Sequence, residues 1–237
     1  MKILSLDTSA TVATVALLDG DKLLAEQMTN NGNTHSETIL PMIEDALASA
    51  DLNVADIDLF TCSCGPGSFT GVRIGVATLK GLAFASDKPC VGVSTLEALA
   101  ENLKCCGGLI CPVMNARRSQ VYTALFISDG QSIKRVTEDE AMSISELDEM
   151  LSKYGAPVSF CGDGYDITLE ALTKTRAKDT PLRLRYQSAA SVAEVALRKY
   201  EAGEYSDDAG LKVTYLRPSQ AERELKEKQK ISEKYNS

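Results

Sequence analysis

The chain has no tryptophan, a single histidine, and aromatic residues at only 5% of its 237 positions. Stacking platforms for nucleic-acid bases are therefore not expected. A helix-borne metal pair needs two histidines four apart, and position 39, four beyond His35, is Ile39. A Ser-His-Asp triad would have to use His35 as its base, yet Gly67-Ser68-Phe69 lacks the glycine spacing of a nucleophile elbow. His35 thus reads as a polar residue at a helix N-terminus. A basic excess is missing as well: 25 Lys and Arg stand against 33 Asp and Glu, a net charge of −8. A lone nucleic-acid binder should carry a basic footprint, and here it is confined to Arg117-Arg118 and Arg183/Arg185. No apolar run is long enough to span a bilayer, and Met1-Lys2 leads straight into Ile3-Leu4-Ser5-Leu6 without a signal-peptide pattern. A cytoplasmic protein that does not engage membranes is expected. The seven cysteines include no Cys-x-x-Cys pair, so no structural zinc site is expected. They read as reduced, mostly buried thiols.

What is present is an ordinary globular composition, 44% hydrophobic and 24% charged, long enough for one large domain or two lobes with real cores. Strands are expected at 3–7, 11–18 and 22–28, the last two joined by the hairpin turn Asp19-Gly20. Thr34-His35-Ser36-Glu37 has the form of a capping box opening a helix to about Ala50, with Pro41 bending it. Strand 58–63, a glycine loop and helix 70–86 follow. Strand 90–93 comes next, then a second capping box, Ser94-Thr95-Leu96-Glu97, opens a helix to about Leu103. Beyond a boundary at 104–108, strands are expected at 109–114, 120–127 and 133–137, a helix at 143–154, a strand at 158–161 and helices at 165–174 and 188–200. The order β-β-β-α-β-α thus appears twice. Residues 221–234 are almost all charged and read as an exposed tail.

The segment Gly65-Pro66-Gly67-Ser68-Phe69-Thr70-Gly71-Val72-Arg73-Ile74-Gly75 turns a strand into a helix. Such a turn has two uses. Its bare N–H groups can cradle an anion at a helix N-terminus, or its missing side chains can let another element approach closely. The helix it launches carries charge only at Arg73 and Lys80, so it is either wholly buried or keeps one side for a partner. An uncovered apolar side would also favour self-pairing.

Two β-β-β-α-β-α lobes with an Asp-Thr-Ser turn after the first strand resemble the actin-like ATPase superfamily. Its phosphate turn has glycine where this chain has Thr8, whose side chain crowds a backbone approach to phosphate. Asp7 could still hold a hydrated magnesium ion, or simply accept turn hydrogen bonds. Asp163, in Gly162-Asp163-Gly164, lies at a strand end where it could meet phosphate.

Met1–Ser9, His35-Ser36-Glu37, Gly65–Gly75, Met114-Asn115-Ala116-Arg117-Arg118 and Tyr215-Leu216-Arg217 together resemble the TsaB (YeaZ-type) proteins across residues 1–217. The resemblance implies an α/β, two-lobed actin-like (ribonuclease H-like) fold, each lobe a mixed sheet flanked by helices. The lobes are expected at 1–103 and 104–217, with a charged tail at 218–237. It implies a non-catalytic subunit that pairs with TsaD, alongside TsaE, to install N6-threonylcarbamoyladenosine beside the anticodon of tRNAs reading codons that begin with adenine. ATP and metal would be used by the partners, tRNA would be met only through the complex, and the chain alone would bind neither cofactor nor metal. The partner interface is expected on His35, Ile39, Met42, Ile43, Gly71, Ile74, Gly75, Thr78 and Leu82, with a homodimer through the same surface when alone. A degenerate nucleotide or anion site is expected at Asp7, Thr8, Ser9, Gly65, Gly67, Ser68, Arg117 and Arg118. Asn115 stands where the family usually has aspartate. A stand-alone actin-like ATPase or kinase, and a peptidase-like protein, are the alternatives.

Overall fold

A computed structural model describes residues 1–217. The charged stretch expected as a tail lies outside the described residues. The first sheet is built from β1 (Lys2–Asp7), β2 (Ala13–Asp19), β3 (Lys22–Thr29), β4 (Leu59–Ser63) and β5 (Cys90–Val93), in the order β3-β2-β1-β4-β5. β1, β2 and β3 pair antiparallel, while β1-β4 and β4-β5 pair parallel. The parallel steps need crossovers, supplied by α1 (His35–Ser49) and α2 (Phe69–Ser86). Alternation along the strands sends Leu4, Leu6, Val15, Leu17, Phe60 and Cys62 to one face. There they meet Ile39, Met42, Ile43, Ala46 and Leu47 of α1 and Val72, Val76, Leu79 and Ala83 of α2.

The second sheet repeats the plan. Its elements are β6 (Gly108–Asn115), β7 (Gln120–Thr123), β10 (Glu140–Ser143), β11 (Val158–Cys161) and β12 (Ala177–Lys178). They lie in the order β10-β7-β6-β11-β12, with the same sequence of antiparallel and parallel pairings. A small hairpin of β8 (Phe126–Ser128) and β9 (Ile133–Arg135) hangs from the β6 edge. One face is covered by α4 (Ile144–Ser152) and α5 (Tyr165–Ala171), the other by α3 (Thr95–Glu101). This is the expected two-lobed fold of mixed sheets flanked by helices.

The main differences from the sequence reading are four. The span 120–127 is two strands, β7 and β8. The third strand of the second sheet is β10, whose Glu-Ala-Met-Ser has weak strand preference. Thr34 is the N-cap of α1 but its side chain makes no cap bond, whereas Ser143 and Glu146 form a reciprocal capping box on α4. The largest difference is α6 (Ala189–Glu201). It follows the second lobe in the chain, yet Val192, Ala193, Val195 and Ala196 pack on Ile3, Ala16, Leu18, Leu59 and Val91 of the first sheet. The second face of that sheet is apolar and must be covered. Each Val or Leu so buried is worth about 1.5–3 kcal/mol. The chain then stays with the first lobe: Ser206 and Cys90 exchange two backbone bonds of 2.7 and 2.9 Å, Leu211 enters the α1/α2 core, and Thr214 N donates to Cys64 O at 2.8 Å. Residues 204–217 are called the strap below.

Candidate functional site

The β1–β2 turn and the N-terminus of α2 meet at one end of the first sheet. Asp7, Thr8 and Ser9 are all 2% exposed or less. Asp7 Oδ1 accepts from Ser9 N and Ser9 Oγ, both at 2.7 Å, and its Oδ2 accepts from Ser63 Oγ. Burial pushes the Asp7 carboxyl above its usual range, and these hydrogen bonds offset only part of that. Thr8 Oγ1 donates to Gly71 O at 2.8 Å. Ser68 N donates to Ser9 O at 2.7 Å, while Ser68 Oγ caps α2 by accepting from Gly71 N at 3.2 Å.

The glycines of the loop are explained by this turn. A Cβ on Gly67 would strike the Ser9 carbonyl, one on Gly71 the Thr8 carbonyl, and one on Gly75 the Thr8 hydroxyl and Leu6. Gly65, at φ +107°, lies against the Thr214 carbonyl of the strap. Asp7, Thr8, Ser9, Gly67 and Ser68 therefore lie together, and of the N–H groups at the start of α2 the Ser9 carbonyl takes that of Ser68 and the Ser68 hydroxyl that of Gly71. Gly65 belongs with the strap. His35 completes the same junction: its Nε2 lies 2.7 Å from Ala10 O, beside Gly71.

Arg117 and Arg118 sit elsewhere, exposed on the β6–β7 turn of the second lobe. With Ser119 they form three consecutive residues at φ +55 to +63°. Asn115 holds this turn through Oδ1, which accepts from Arg117 N at 2.8 Å. An amide oxygen serves there as well as a carboxylate would, and adds no charge. That matters because Asp163 Oδ1 accepts from Asn115 N at 2.9 Å. Burial raises the Asp163 carboxyl, and the charge of Asp7 adds to the rise.

The expected interface residues divide by burial. Ile39, Met42 and Ile43 are 1%, 8% and 2% exposed, and Gly71 and Gly75 are buried. All five face the chain's own core or β1–β2 turn, because the sheet claims the inner stripe of both helices. They are not available to a partner in this structure. Ile74, Thr78 and Leu82 are half-buried. The exposed residues of α2 are Thr70, Arg73, Ala77, Gly81, Phe84 and Ala85, and those of α1 are Ser36, Glu37, Leu40, Pro41, Glu44, Asp45, Ala48 and Ser49. Phe84 is 76% exposed and Leu40 48%. At the start of α2 the strap adds Tyr215, stacked on Phe69 with centroids 4.6 Å apart and bonded through its hydroxyl to Arg73 Nε at 2.6 Å.

Residues 22–224 match the model of the TsaD family, tRNA N6-adenosine threonylcarbamoyltransferase. The tRNA threonylcarbamoyladenosine biosynthesis protein TsaB of Bacillus subtilis (strain 168) is 34% identical over 230 residues, 97% of this chain and 100% of that one. The chain belongs to the TsaB family. The TsaB of Escherichia coli (strain K12) is 34% identical over 149 residues, 62% of this chain and 64% of that one. The solved structure of YeaZ from Pseudomonas aeruginosa aligns with a TM-score of 0.77 and 25% identity, covering 91% of this chain and 99% of that one. Leu40, Pro41, Ala77, Gly81 and Phe84, exposed on α1 and α2, lie outside the expected interface set. Ala77, Gly81 and Phe84 follow one another at spacings of four and three, which places them on one side of α2. Among the described residues, no helix is long and apolar enough to cross a membrane, and no group of three or more His, Cys, Asp or Glu could hold a metal ion.

Proposed function

We propose that this chain takes part in tRNA threonylcarbamoyladenosine biosynthesis as a non-catalytic, cytoplasmic subunit that docks TsaD through the outer faces of α1 and α2. The observation that carries the reading is the exposure of the uncharged residues Ala77, Gly81 and Phe84 on α2 and Leu40 and Pro41 on α1. Single apolar residues are normal on a surface, and the reading rests on these falling on two helices that cover the same sheet face. In the absence of TsaD the same faces pair two copies of the chain. TsaE joins the pair, tRNA is met only through the complex, and ATP and metal act in the partners. The filled turn at Thr8 and Ser9 favours this role over a stand-alone ATPase. The core position of Ile39 removes it from any surface where a metal or peptide would bind.

The test is to mix Phe84→Glu with TsaD and measure complex formation by mass. Phe84 touches little of its own chain, so the variant should melt within a degree or two of the parent. Full burial of a phenylalanine is worth about 1.5–3 kcal/mol, so association should weaken on the order of tenfold or more. An unchanged affinity for TsaD would remove the proposed face.

A further inference from the structure

Between the strap and the outer edge of β5 lies a cavity of about 440 Å³, lined among others by Cys64, Gly92, Ser94, Asp139, Tyr205 and Lys212. Cys64 forms part of its floor. The thiol rests on Gly92, where a Cβ would lie 2.7 Å from the sulfur, so only glycine leaves it this room. Directly behind it is Cys62, with the two Sγ atoms 3.9 Å apart. Cys62 is fully buried, whereas Cys64 retains 5% exposure. Cys64 lines the cavity and Cys62 is not in its lining. The two sulfurs are therefore arranged as one beside the cavity and one behind it.

We propose that Cys64 and Cys62 form a hydroperoxide-sensitive dithiol that opens onto the strap cavity. The Cys64 thiolate attacks one peroxide oxygen, the O–O bond breaks, and the other oxygen leaves as an alcohol, or as water from hydrogen peroxide. Cys64 is now a sulfenic acid. The Cys62 sulfur then attacks the Cys64 sulfur, an S–S bond forms, the S–O bond breaks, and water leaves with the Cys62 proton. Two thiols have lost two electrons to one peroxide, and an external dithiol reverses the change. To reach bonding distance the sulfurs must close by about 1.9 Å, from 3.9 Å to roughly 2.05 Å. The contact with Cys62 also prepares the nucleophile. Their shared hydrogen bond, in which either sulfur can donate, holds the Cys64 thiol below its ordinary range against the opposing effect of burial, while Cys62 is pushed well above its own. Cys90, on the same cavity wall, is pushed up to about 11 by burial and stays a thiol.

The proposal does not depend on the docking reading and is tested on this chain alone. Cys105 and Cys106 are exposed and would consume peroxide, so Cys105→Ser and Cys106→Ser are first combined as the background. That protein is treated with one equivalent of hydrogen peroxide, alkylated after unfolding and mapped by mass spectrometry. The expected product is a Cys62–Cys64 disulfide, formed at least roughly tenfold faster than any loss of the Cys111 or Cys161 thiols. Adding Cys62→Ser should leave a Cys64 sulfenic acid that dimedone captures, and adding Cys64→Ser should leave Cys62 unoxidised. Intact Cys62 and Cys64 thiols after the peroxide is spent would overturn the proposal. So would loss of Cys62 in the Cys64→Ser protein at the parent rate.

Discussion

Gly71 and Gly81 lie ten residues apart on α2 and should respond to the same substitution with opposite sign. Replacing a helical glycine by alanine normally stabilises a helix by about 0.5–1 kcal/mol, because glycine loses more backbone freedom on folding. At Gly81 a Cβ meets nothing within 4 Å, so that gain should appear in full. For a domain of this length it amounts to a rise in Tm of roughly 2–4 °C per kcal/mol. At Gly71 the Cβ falls closer to the Thr8 carbonyl oxygen than the 3.0 Å that real Cβ atoms keep, and also presses on His35 and Ser68. A backbone oxygen cannot swing aside as a flexible side chain can. Overpacking of this kind costs about 1–3 kcal/mol, and the Thr8 hydroxyl to Gly71 carbonyl bond is at risk as well. The net expectation for Gly71→Ala is a loss of about 1–3 kcal/mol. Gly75→Ala should behave similarly, because its Cβ would strike Thr8 Oγ1 and approach Leu6 Cδ1 to 3.0 Å. Urea unfolding of the isolated chain, with slopes compared between variants, gives the three signs directly. If Gly71→Ala and Gly75→Ala were as stabilising as Gly81→Ala, these glycines would not be seating the β1–β2 turn, and the reasoning would fail. The same geometry makes a bulky residue at Gly75 a poor probe of partner binding, since it would break the chain's own fold first.

Other consequences are equally direct. Asp148 is 3% exposed and accepts from Thr173 N at 2.8 Å, Thr173 Oγ1 at 2.9 Å and Thr175 N at 2.8 Å. Burial alone would raise its carboxyl, but those donors outweigh it and hold the group well below the usual range. A lowered folded-state value contributes stability that is complete above the unfolded value of about 3.9 and is lost as pH falls through the folded one. Asp148→Asn should therefore cost about 1–3 kcal/mol at pH 7, with the gap to the parent narrowing below about pH 4. A constant gap down to pH 3 would contradict this account. Asp7 has the opposite sign. Its raised value means that ionisation opposes folding, so stability at this site rises as pH falls from the folded value toward about 3.9. Asp7→Asn should be no less stable than the parent at pH 7, whereas Asp7→Ala, which leaves Ser9 and Ser63 without their acceptor, should lose about 1–3 kcal/mol in thermal unfolding.

Much of the fold was legible because local preferences and tertiary pairing agree. The β2–β3 hairpin forms where expected, with its two-residue turn at Gly20-Asp21 because Asp19 still pairs with Lys22, and the Ser94 side chain caps α3 by accepting from Glu97 N. The glycine run turned β4 into α2. Orientation of α2 was harder to read. Gly71, Gly75 and the Val72/Val76/Leu79 stripe are buried, while Ala77 and Gly81, also small and uncharged, face outward. A helix with so little contrast around its circumference does not declare its inner side, so Ile39, Met42, Ile43, Gly71 and Gly75 read as interface when the sheet had already claimed them. β10 escaped because Glu140-Ala141-Met142-Ser143 is held by pairing with β7 more than by its own preference. The destination of α6 was hidden for a different reason. Its stripe of valines and alanines fits any apolar sheet face, and order along the chain pointed to the wrong one.

That crossing of α6 has a consequence for synthesis on the ribosome. Every strand of the first sheet has emerged by Val93, yet the helix that covers its second face begins at Ala189. At about 5–20 residues per second, the interval of roughly a hundred residues lasts on the order of 5–20 s. Throughout it Ile3, Ala16, Leu18, Leu59 and Val91 lack the cover that α6 gives them in the finished fold. The first lobe is first in sequence but last to close, and a chain ending before Ala189 should be captured by chaperones or aggregate. Supplying residues 189–217 as a separate peptide should restore solubility to such a fragment if the face left open by α6 is the cause.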